Sequence, residues 1–234
     1  MYEADGTLWG EKGTIDVMET YAARYCDAHG SEQTIIRNDS STLSMELRGV
    51  RFTGSDFDAF EPDQNATSDQ LAKFSLHHNS LCSCQIECEI PVAISVHGEP
   101  QQATLFVDLT LGDPGPNGGL DREDLNLKIV TDFGEYSSSG RSGSFEHELL
   151  EIQSQLPSGV YIRACINCLY SDYSPYGNGA FGCMMCFKNR KSEYLKEKSK
   201  RDFFLIHDQF DRFVQETYLC GEFERRIPGT GYRS

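Results

Sequence analysis

The stretch from Ile86 to Leu111, IECEIPVAISVHGEPQQATLFVDLTL, decides the fold class. Apolar residues occupy every even position from Ile86 to Val96 and every odd position from Ala103 to Leu111. A period of two predicts two strands that each bury one face. The connection from His97 to Gln102 contains Gly and Pro and has the length of a hairpin loop, so an antiparallel pair is expected.

The same period of two continues on both sides of this pair. Apolar residues alternate from Leu43 to Leu47 and change phase after Gly49, which predicts a bulge within one strand. Another strand is predicted from Leu125 to Ile129. Residues 1–140 are therefore expected to form an antiparallel β-sandwich-like domain of about six to eight short strands.

A different periodicity follows residue 140. Ser144 is expected to cap a helix that ends at Pro157, and a strand is predicted from Val160 to Ala164. The spacing of aromatic residues predicts a long helix from Ser199 to Gly221. The expected fold class is therefore α+β, with a helix and strand lobe over residues 141–234 that carries a four-cysteine site.

Nine cysteines are the main chemical signal of this chain of 234 residues. Four of them, with the spacing C-x2-C-x14-C-x2-C, are Cys165, Cys168, Cys183 and Cys186. Two residues between cysteines let both sulfurs of a pair reach one cation, so the spacing predicts a structural Zn²⁺ site. Four thiolates would leave no coordination position for a substrate water, which disfavours a catalytic zinc. Buried free thiols or reversible disulfides are the alternatives.

The remaining cysteines have weaker interpretations. Cys82, Cys84 and Cys88 share the parity of the core-facing residues of their strand, which predicts buried thiols. A soft-metal site with His77 or His78 is the alternative for these three. Cys220 begins a C-x5-R pattern that resembles a phosphatase loop, but the acidic residues that follow it would repel phosphate.

Several acidic residues stand in turn-rich sequence. Asp56, Asp58, Glu61 and Asp63 lack the ordered spacing of a calcium loop. Turn formation and solubility are the expected roles of these four carboxylates.

The charge balance restricts the class of partner. The chain has 21 Lys and Arg against 36 Asp and Glu, a formal net charge of -15. Nucleic-acid binding is disfavoured because it requires clustered cations, and a basic protein partner is expected instead. Neither an apolar run long enough to span a membrane nor a secretory signal is found, so we expect a cytoplasmic protein without membrane contact. The sequence does not predict the oligomeric state.

Two segments carry a resemblance to a known family. CINCLYSDYSPYGNGAFGCMMCFK, from Cys165 to Lys188, and QETYLCGEFERRIPGTGYRS, from Gln215 to Ser234, resemble a bacterial family of uncharacterised proteins, a domain of unknown function. The likeness extends less sharply over residues 45–234. It implies a bacterial cytosolic protein, for which the immunity type encoded beside toxin genes is one example, and it assigns no catalytic residue.

Two classes of function follow from these observations. The first is a non-enzymatic, acidic protein-binding module with a structural zinc. The second is a thiol-redox or hydrolytic enzyme whose site has no recognisable motif.

Overall fold

A computed structural model describes residues 18–40, 42–174, 181–182 and 184–230. Within these residues, ten strands form one antiparallel sheet. Its strands are β1 (Glu19–Asp27), β2 (Gly30–Asn38), β3 (Leu43–Leu47), β4 (Val50–Gly54), β5 (Glu61–Pro62), β8 (Cys84–Val96), β9 (Glu99–Leu111), β10 (Glu123–Thr131), β11 (Gly134–Ser137) and β12 (Val160–Ile162). They are ordered β11-β10-β9-β8-β1-β2-β3-β4-β5, and β12 pairs with β8 beyond the end of β1.

The other elements are short, except for one helix. A two-stranded sheet contains β6 (Leu76–His77) and β7 (Ser80–Leu81), and a three-stranded sheet contains β13 (Ser171–Tyr173), β14 (Met184–Cys186) and β15 (Arg212–Val214). The helices are α1 (Ser68–Leu71), α2 (Phe145–Gln155), α3 (Lys191–Tyr194) and α4 (Lys200–Phe203), with a 3-10 turn at Cys165–Asn167. None of the helices in the described residues is both long and apolar enough to cross a membrane.

The predicted antiparallel pair is confirmed and is the longest hairpin of the sheet. Strands β8 and β9 pair over their full length, from Cys84 opposite Leu111 to Val96 opposite Glu99. The turn contains only His97 and Gly98, whose φ angles of 51° and 97° suit the two-residue turns that follow the twist of a hairpin. The connection is therefore shorter than the sequence predicted.

The predicted bulge between Leu47 and Val50 is wrong, because these residues end two separate strands. Leu47 lies opposite Val50, and Arg48 and Gly49 form a two-residue turn with φ angles of 51° and 76°. A two-residue turn and a bulge change the phase of a strand pattern in the same way, so the sequence does not distinguish them. Arg48 is held in place by Asp27, whose Oδ2 lies 2.6 Å from Arg48 Nη1.

One face of the large sheet forms the main core. Apolar side chains from residues before and after position 140 share this core, and α2 packs on it through Phe145, Leu149 and Ile152. The predicted helix is confirmed, but the Ser144 side chain makes no capping bond. Instead, the Glu148 carboxylate accepts hydrogen bonds from the backbone N–H groups of Gly140 (2.8 Å) and Ser142 (2.7 Å).

The predicted α+β class with a C-terminal helical lobe is wrong. The part of the chain that the structure describes is mostly β, with 43% of its residues in strands and 13% in helices. In place of the long helix, α4 covers Lys200–Phe203, turns follow, and Phe213 in β15 pairs with Met185. Long-range pairing of Phe213 and Val214 with β14 outcompetes the helical spacing, since both residue types also favour strands.

Candidate functional site

Three of the C-terminal cysteines lie in the part of the chain that follows the large sheet. Cys165 starts the 3-10 turn after β12, and the Cys168 N–H donates to its carbonyl oxygen at 3.0 Å. Cys186 ends β14 and lies opposite Ser171 in the neighbouring strand. All three side chains are buried. Cys183, the fourth predicted ligand, lies outside the described residues.

Backbone N–H groups near two of these sulfurs affect their pKa values. The N–H groups of Tyr170 and Glu224 lower the pKa of Cys168, and the N–H group of Lys188 lowers the pKa of Cys186. In both C-x-x-C pairs, one such N–H group comes from the residue two positions after the second cysteine. Such donors stabilise a thiolate and lower its pKa.

Burial works against these donors. It raises the pKa of Cys168 and Cys186, and it raises the pKa of Cys165 well above the ordinary value. The negative charges of neighbouring thiolates raise the pKa of Cys165 further, which shows that these sulfurs share one electrostatic environment. A bound cation would reverse this effect, because a metal stabilises the deprotonated form of its ligands.

Cys220 joins the same environment, although its spacing gave no sign of it. The charge on its thiolate raises the pKa of Cys165, Cys168 and Cys186. We call these four side chains, Cys165, Cys168, Cys186 and Cys220, the thiol cluster. Only the three-dimensional arrangement reveals this member, because it is 34 residues from Cys186 in sequence.

The described geometry is not that of a closed metal site. Among residues 18–40, 42–174, 181–182 and 184–230, no three His, Cys, Asp or Glu side chains form a group that could hold a metal ion. Every described cysteine is a free thiol. The Cys165 side chain, the first of the predicted ligands, is only 3% exposed.

The cysteines of the large sheet behave as core residues. Cys82, Cys84 and Cys88 are buried, as their parity predicted. Burial raises the pKa of Cys84 to about 12, so this thiol remains neutral at physiological pH. The buried-thiol interpretation of these three cysteines therefore holds.

A group of buried carboxylates lies beside the thiol cluster. Glu216 is fully buried, and it accepts hydrogen bonds from Tyr173 Oη (3.0 Å) and the Gly182 N–H (2.8 Å). Burial, together with the charge of Asp58, raises the pKa of Asp56. The expected role of Asp56 in solubility is wrong because the residue is 5% exposed, whereas its expected role in a turn is confirmed, since the Ala59 N–H donates to the Asp56 carbonyl oxygen. No local feature of the sequence marks Asp56 or Glu216 as buried acids.

Glu216 makes folding stability depend on pH. Burial raises its pKa from 4.5 to about 7, so the folded protein retains a proton that the unfolded chain loses. This contribution to stability is complete below about pH 4.5 and is lost as pH rises through about 7. We expect Glu216→Gln to be more stable than the wild type at pH 8, by at most roughly 3 kcal/mol.

Urea unfolding of both proteins at pH 5 and pH 8 measures this effect. The stability difference between the two pH values should be smaller in Glu216→Gln than in the wild type. The exposed Glu89→Gln substitution is the matched control and should leave the difference unchanged. An identical pH dependence in Glu216→Gln would show that Glu216 is already ionised in the folded protein.

The chain matches a known protein family over part of its length. No curated protein and no solved structure was found to match the chain. Residues 19–171, more than half of the chain, match the Family of unknown function (DUF6304). The match contains the large sheet, Cys165 and Cys168, and it stops before Cys186 and Cys220. The chain therefore belongs to the DUF6304 family of unknown function.

Proposed function

We propose that the chain is a cytoplasmic, non-enzymatic protein-binding module whose C-terminal part is stabilised by zinc. Its expected partner is a basic protein, and a bacterial toxin held by an immunity-type protein is one example of such a pair. The zinc proposal is supported by the position of three buried cysteines: Cys165 and Cys168 flank one turn, and Cys186 lies opposite Ser171, whose hydroxyl donates to the Cys165 carbonyl oxygen. The free state of every described cysteine fits a reducing cytoplasm.

The local charge also favours zinc at the thiol cluster. The Arg226 guanidinium lowers the pKa of Cys168, and it donates to the Ser171 carbonyl oxygen in the adjacent strand β13. Cys168 thus has two backbone donors and one cation that favour its thiolate. These groups can assist deprotonation, and a bound ion would offset the effect of burial. Zinc is preferred because it binds thiolates in tetrahedral sites without a redox change.

Metal analysis tests the zinc proposal directly. Protein purified under reducing conditions without added chelator is expected to contain about one zinc per chain. Removal of the metal with a chelator should lower the melting temperature, and re-addition of zinc should restore it. Metal-free protein whose melting temperature is unchanged by zinc would contradict the proposal.

The open face of the large sheet supports binding to a basic protein. This outer face is the side of β1, β8 and β9 that points away from the core. It has depressions of about 260 and 560 Å³ in neighbouring positions. The charged residues that line the two depressions and are not directed into the core are Arg24, Glu87, Glu89, Asp108, Asp113, Asp121 and Arg122. Carboxylates thus outnumber guanidinium groups, which would steer a basic partner to this face.

Apolar side chains complete this outer face. On the adjacent strand β2, the Ile35 side chain is 48% exposed. On β9, the Phe106 ring lies close to Lys128 of β10, whose Nζ is 5.0 Å from the ring centroid. Strands β1 and β8 are joined across the face by Arg24, which donates to both carboxylate oxygens of Glu87 at 2.8 and 2.6 Å. Aromatic and aliphatic side chains are common in protein contacts, and the carboxylates around them would form a polar rim.

Charge reversal tests the contact face. Wild-type protein is immobilised on a support and incubated with a lysate of its native cell. It is expected to retain a basic protein, and the retained amount should fall as the salt concentration rises. The double variant Glu89→Lys and Asp113→Lys should retain at least about tenfold less of the same protein. Glu99→Lys, at the tip of the β8–β9 hairpin, is the control and should bind as the wild type does. Equal retention by the double variant would exclude this face.

The raised pKa values of the buried thiols disfavour the competing redox function. A redox cysteine reacts as a thiolate, and such residues have lowered pKa values in partly exposed positions. Burial instead raises the pKa of Cys165, Cys168 and Cys186. These thiols would be poor nucleophiles at neutral pH without a metal.

A further inference from the structure

We propose that a depression between β12 and the C-terminal segment binds the oxyanion group of a small organic ligand. We call it the arginine pocket. It has a volume of about 190 Å³ and is lined by Gln153, Tyr161, Asn167, Arg225, Arg226 and Pro228. Its described lining thus contains two cations and no carboxylate, although the whole chain has a formal net charge of -15. This inference depends neither on the proposed zinc nor on the proposed contact face.

Arg225 presents a guanidinium group in a fixed orientation. Its guanidinium carbon lies 4.1 Å from the centroid of the Tyr161 ring, and such stacking holds the plane of the guanidinium against the ring. The Arg225 side chain makes neither a hydrogen bond nor an ion pair with the part of the chain that the structure describes. The N–H donors of its planar fork are therefore open to a ligand, and a carboxylate or phosphate matches their geometry.

The acidic residues beside Arg225 in sequence are engaged elsewhere. Lys191 Nζ lies 2.9 Å from Glu222 Oε2 and 3.4 Å from Glu224 Oε1. Both carboxylates are therefore directed to Lys191 and leave Arg225 without a counter-ion. Exposed charges beyond about 8 Å are largely screened at physiological ionic strength. The local charge of the arginine pocket thus remains positive in an acidic protein.

Arg226 adds a second, partly buried cation. Its Nη1 and Nη2 each lie 3.4 Å from the Tyr194 hydroxyl oxygen, and Nη2 also donates to the Ser171 carbonyl oxygen. The Tyr194 hydroxyl donates in turn to Asp172 at 2.8 Å, so a hydroxyl group separates Arg226 from this carboxylate. Arg226 Nε is buried without a hydrogen-bond partner among the described residues. A nearby anion would balance this incompletely paired charge.

The polar wall of the arginine pocket is fixed by hydrogen bonds within the protein. Asn167 Nδ2 donates to Gln153 Oε1 and to the Ile162 carbonyl oxygen, each at 2.9 Å. The wall is therefore formed before a ligand arrives, which lowers the entropic cost of binding. A volume of about 190 Å³ is smaller than the roughly 300–1,000 Å³ of pockets for drug-sized molecules. It suits a small anion or the charged end of a larger ligand.

Phenyl phosphate and benzoate test the arginine pocket, because they have the same ring and different oxyanions. In calorimetric titrations at constant ionic strength, we expect the wild type to bind the better probe saturably, with a Kd of about 1 mM or lower. Arg225→Gln should bind it at least about tenfold more weakly, since charge-assisted hydrogen bonds are lost. Arg37→Gln, an exposed arginine of β2 outside the pocket, is the control and should bind as the wild type does.

The two probes also identify the oxyanion. Tighter binding of phenyl phosphate would assign a phosphate ligand, and tighter binding of benzoate would assign a carboxylate ligand. If neither probe binds the wild type saturably, the proposal is overturned. Equal affinities of Arg225→Gln and the wild type would also overturn it, because the binding would then lie elsewhere.

Arginine modification gives a measurement on the wild type that does not depend on the folding of a variant. Phenylglyoxal reacts with accessible guanidinium groups, and peptide mass spectrometry follows the modification of Arg225 and Arg37 separately. The tighter-binding probe, at a saturating concentration, should slow the modification of Arg225 and leave that of Arg37 unchanged. Equal rates of Arg225 modification with and without the probe would contradict the assignment.

Discussion

Cys168→Ser is expected to release zinc and to loosen the chain from the Cys165–Asn167 turn to residue 230. Serine removes a sulfur whose pKa is lowered by the N–H groups of Tyr170 and Glu224 and by Arg226, so the proposed ion loses one of its ligands. The expected loss is roughly 4 kcal/mol, the linkage contribution of a ligand present at about 1,000 times its Kd. Zinc content and amide hydrogen exchange measure the two effects.

Cys82→Ser is the matched control for this substitution. Cys82 is also a buried thiol, with 1% exposure, but it lies outside the thiol cluster. This variant should lose about 1–3 kcal/mol from the burial of a hydroxyl and should retain its zinc. Normal zinc content and unchanged exchange in Cys168→Ser would show that the C-terminal part does not depend on metal.

Leu105→Ala is expected to destabilise the large sheet by about 2–5 kcal/mol. Leu105 lies in the middle of β9, between Ile90 on β8 and Ile129 on β10, and all three side chains are fully buried. The shortened side chain leaves a cavity between Ile90 and Ile129, because the paired strands keep these two residues at their positions. Urea unfolding measures the change in the free energy of unfolding.

The neighbouring Thr104→Ala is the control for Leu105→Ala. Thr104 is on the outer face of β9 and is only partly buried. Its substitution should change the free energy of unfolding by about 0.5 kcal/mol or less. Equal effects of the two substitutions would show that Leu105 is not part of a packed core.

The sequence predicted the centre of the sheet because that part has one buried and one open face. The alternation from Ile86 to Val96 and from Ala103 to Leu111 follows from this difference, and it identified both strands and their antiparallel arrangement. Helix α2 was also predictable, because its apolar stripe packs on the sheet. In these elements, local periodicity and tertiary packing agree.

The C-terminal part was not predictable because distant residues determine its structure. Phe203 and Phe213 have a spacing that suits one helix face, yet Phe213 lies opposite Met185 in a strand. The segment that contains Cys220 lies beside the first cysteine pair because the Leu169 N–H donates to the Glu224 carbonyl oxygen. Asp56 is buried by contacts that include the Phe181 N–H, and no neighbouring residue indicates this.

The pairing of the C-terminal segment with the Cys165–Cys168 turn matters for the design of shortened recombinant proteins. Truncation at residue 171, where the DUF6304 match ends, would remove the acceptors of the Cys165 and Leu169 N–H groups. Each of these hydrogen bonds contributes about 0.5–1.5 kcal/mol, and the truncation would also expose the apolar side chains that the removed segment covers. Expression of the family region should therefore retain the chain through Arg226, whose N–H donates to the Asn167 carbonyl oxygen.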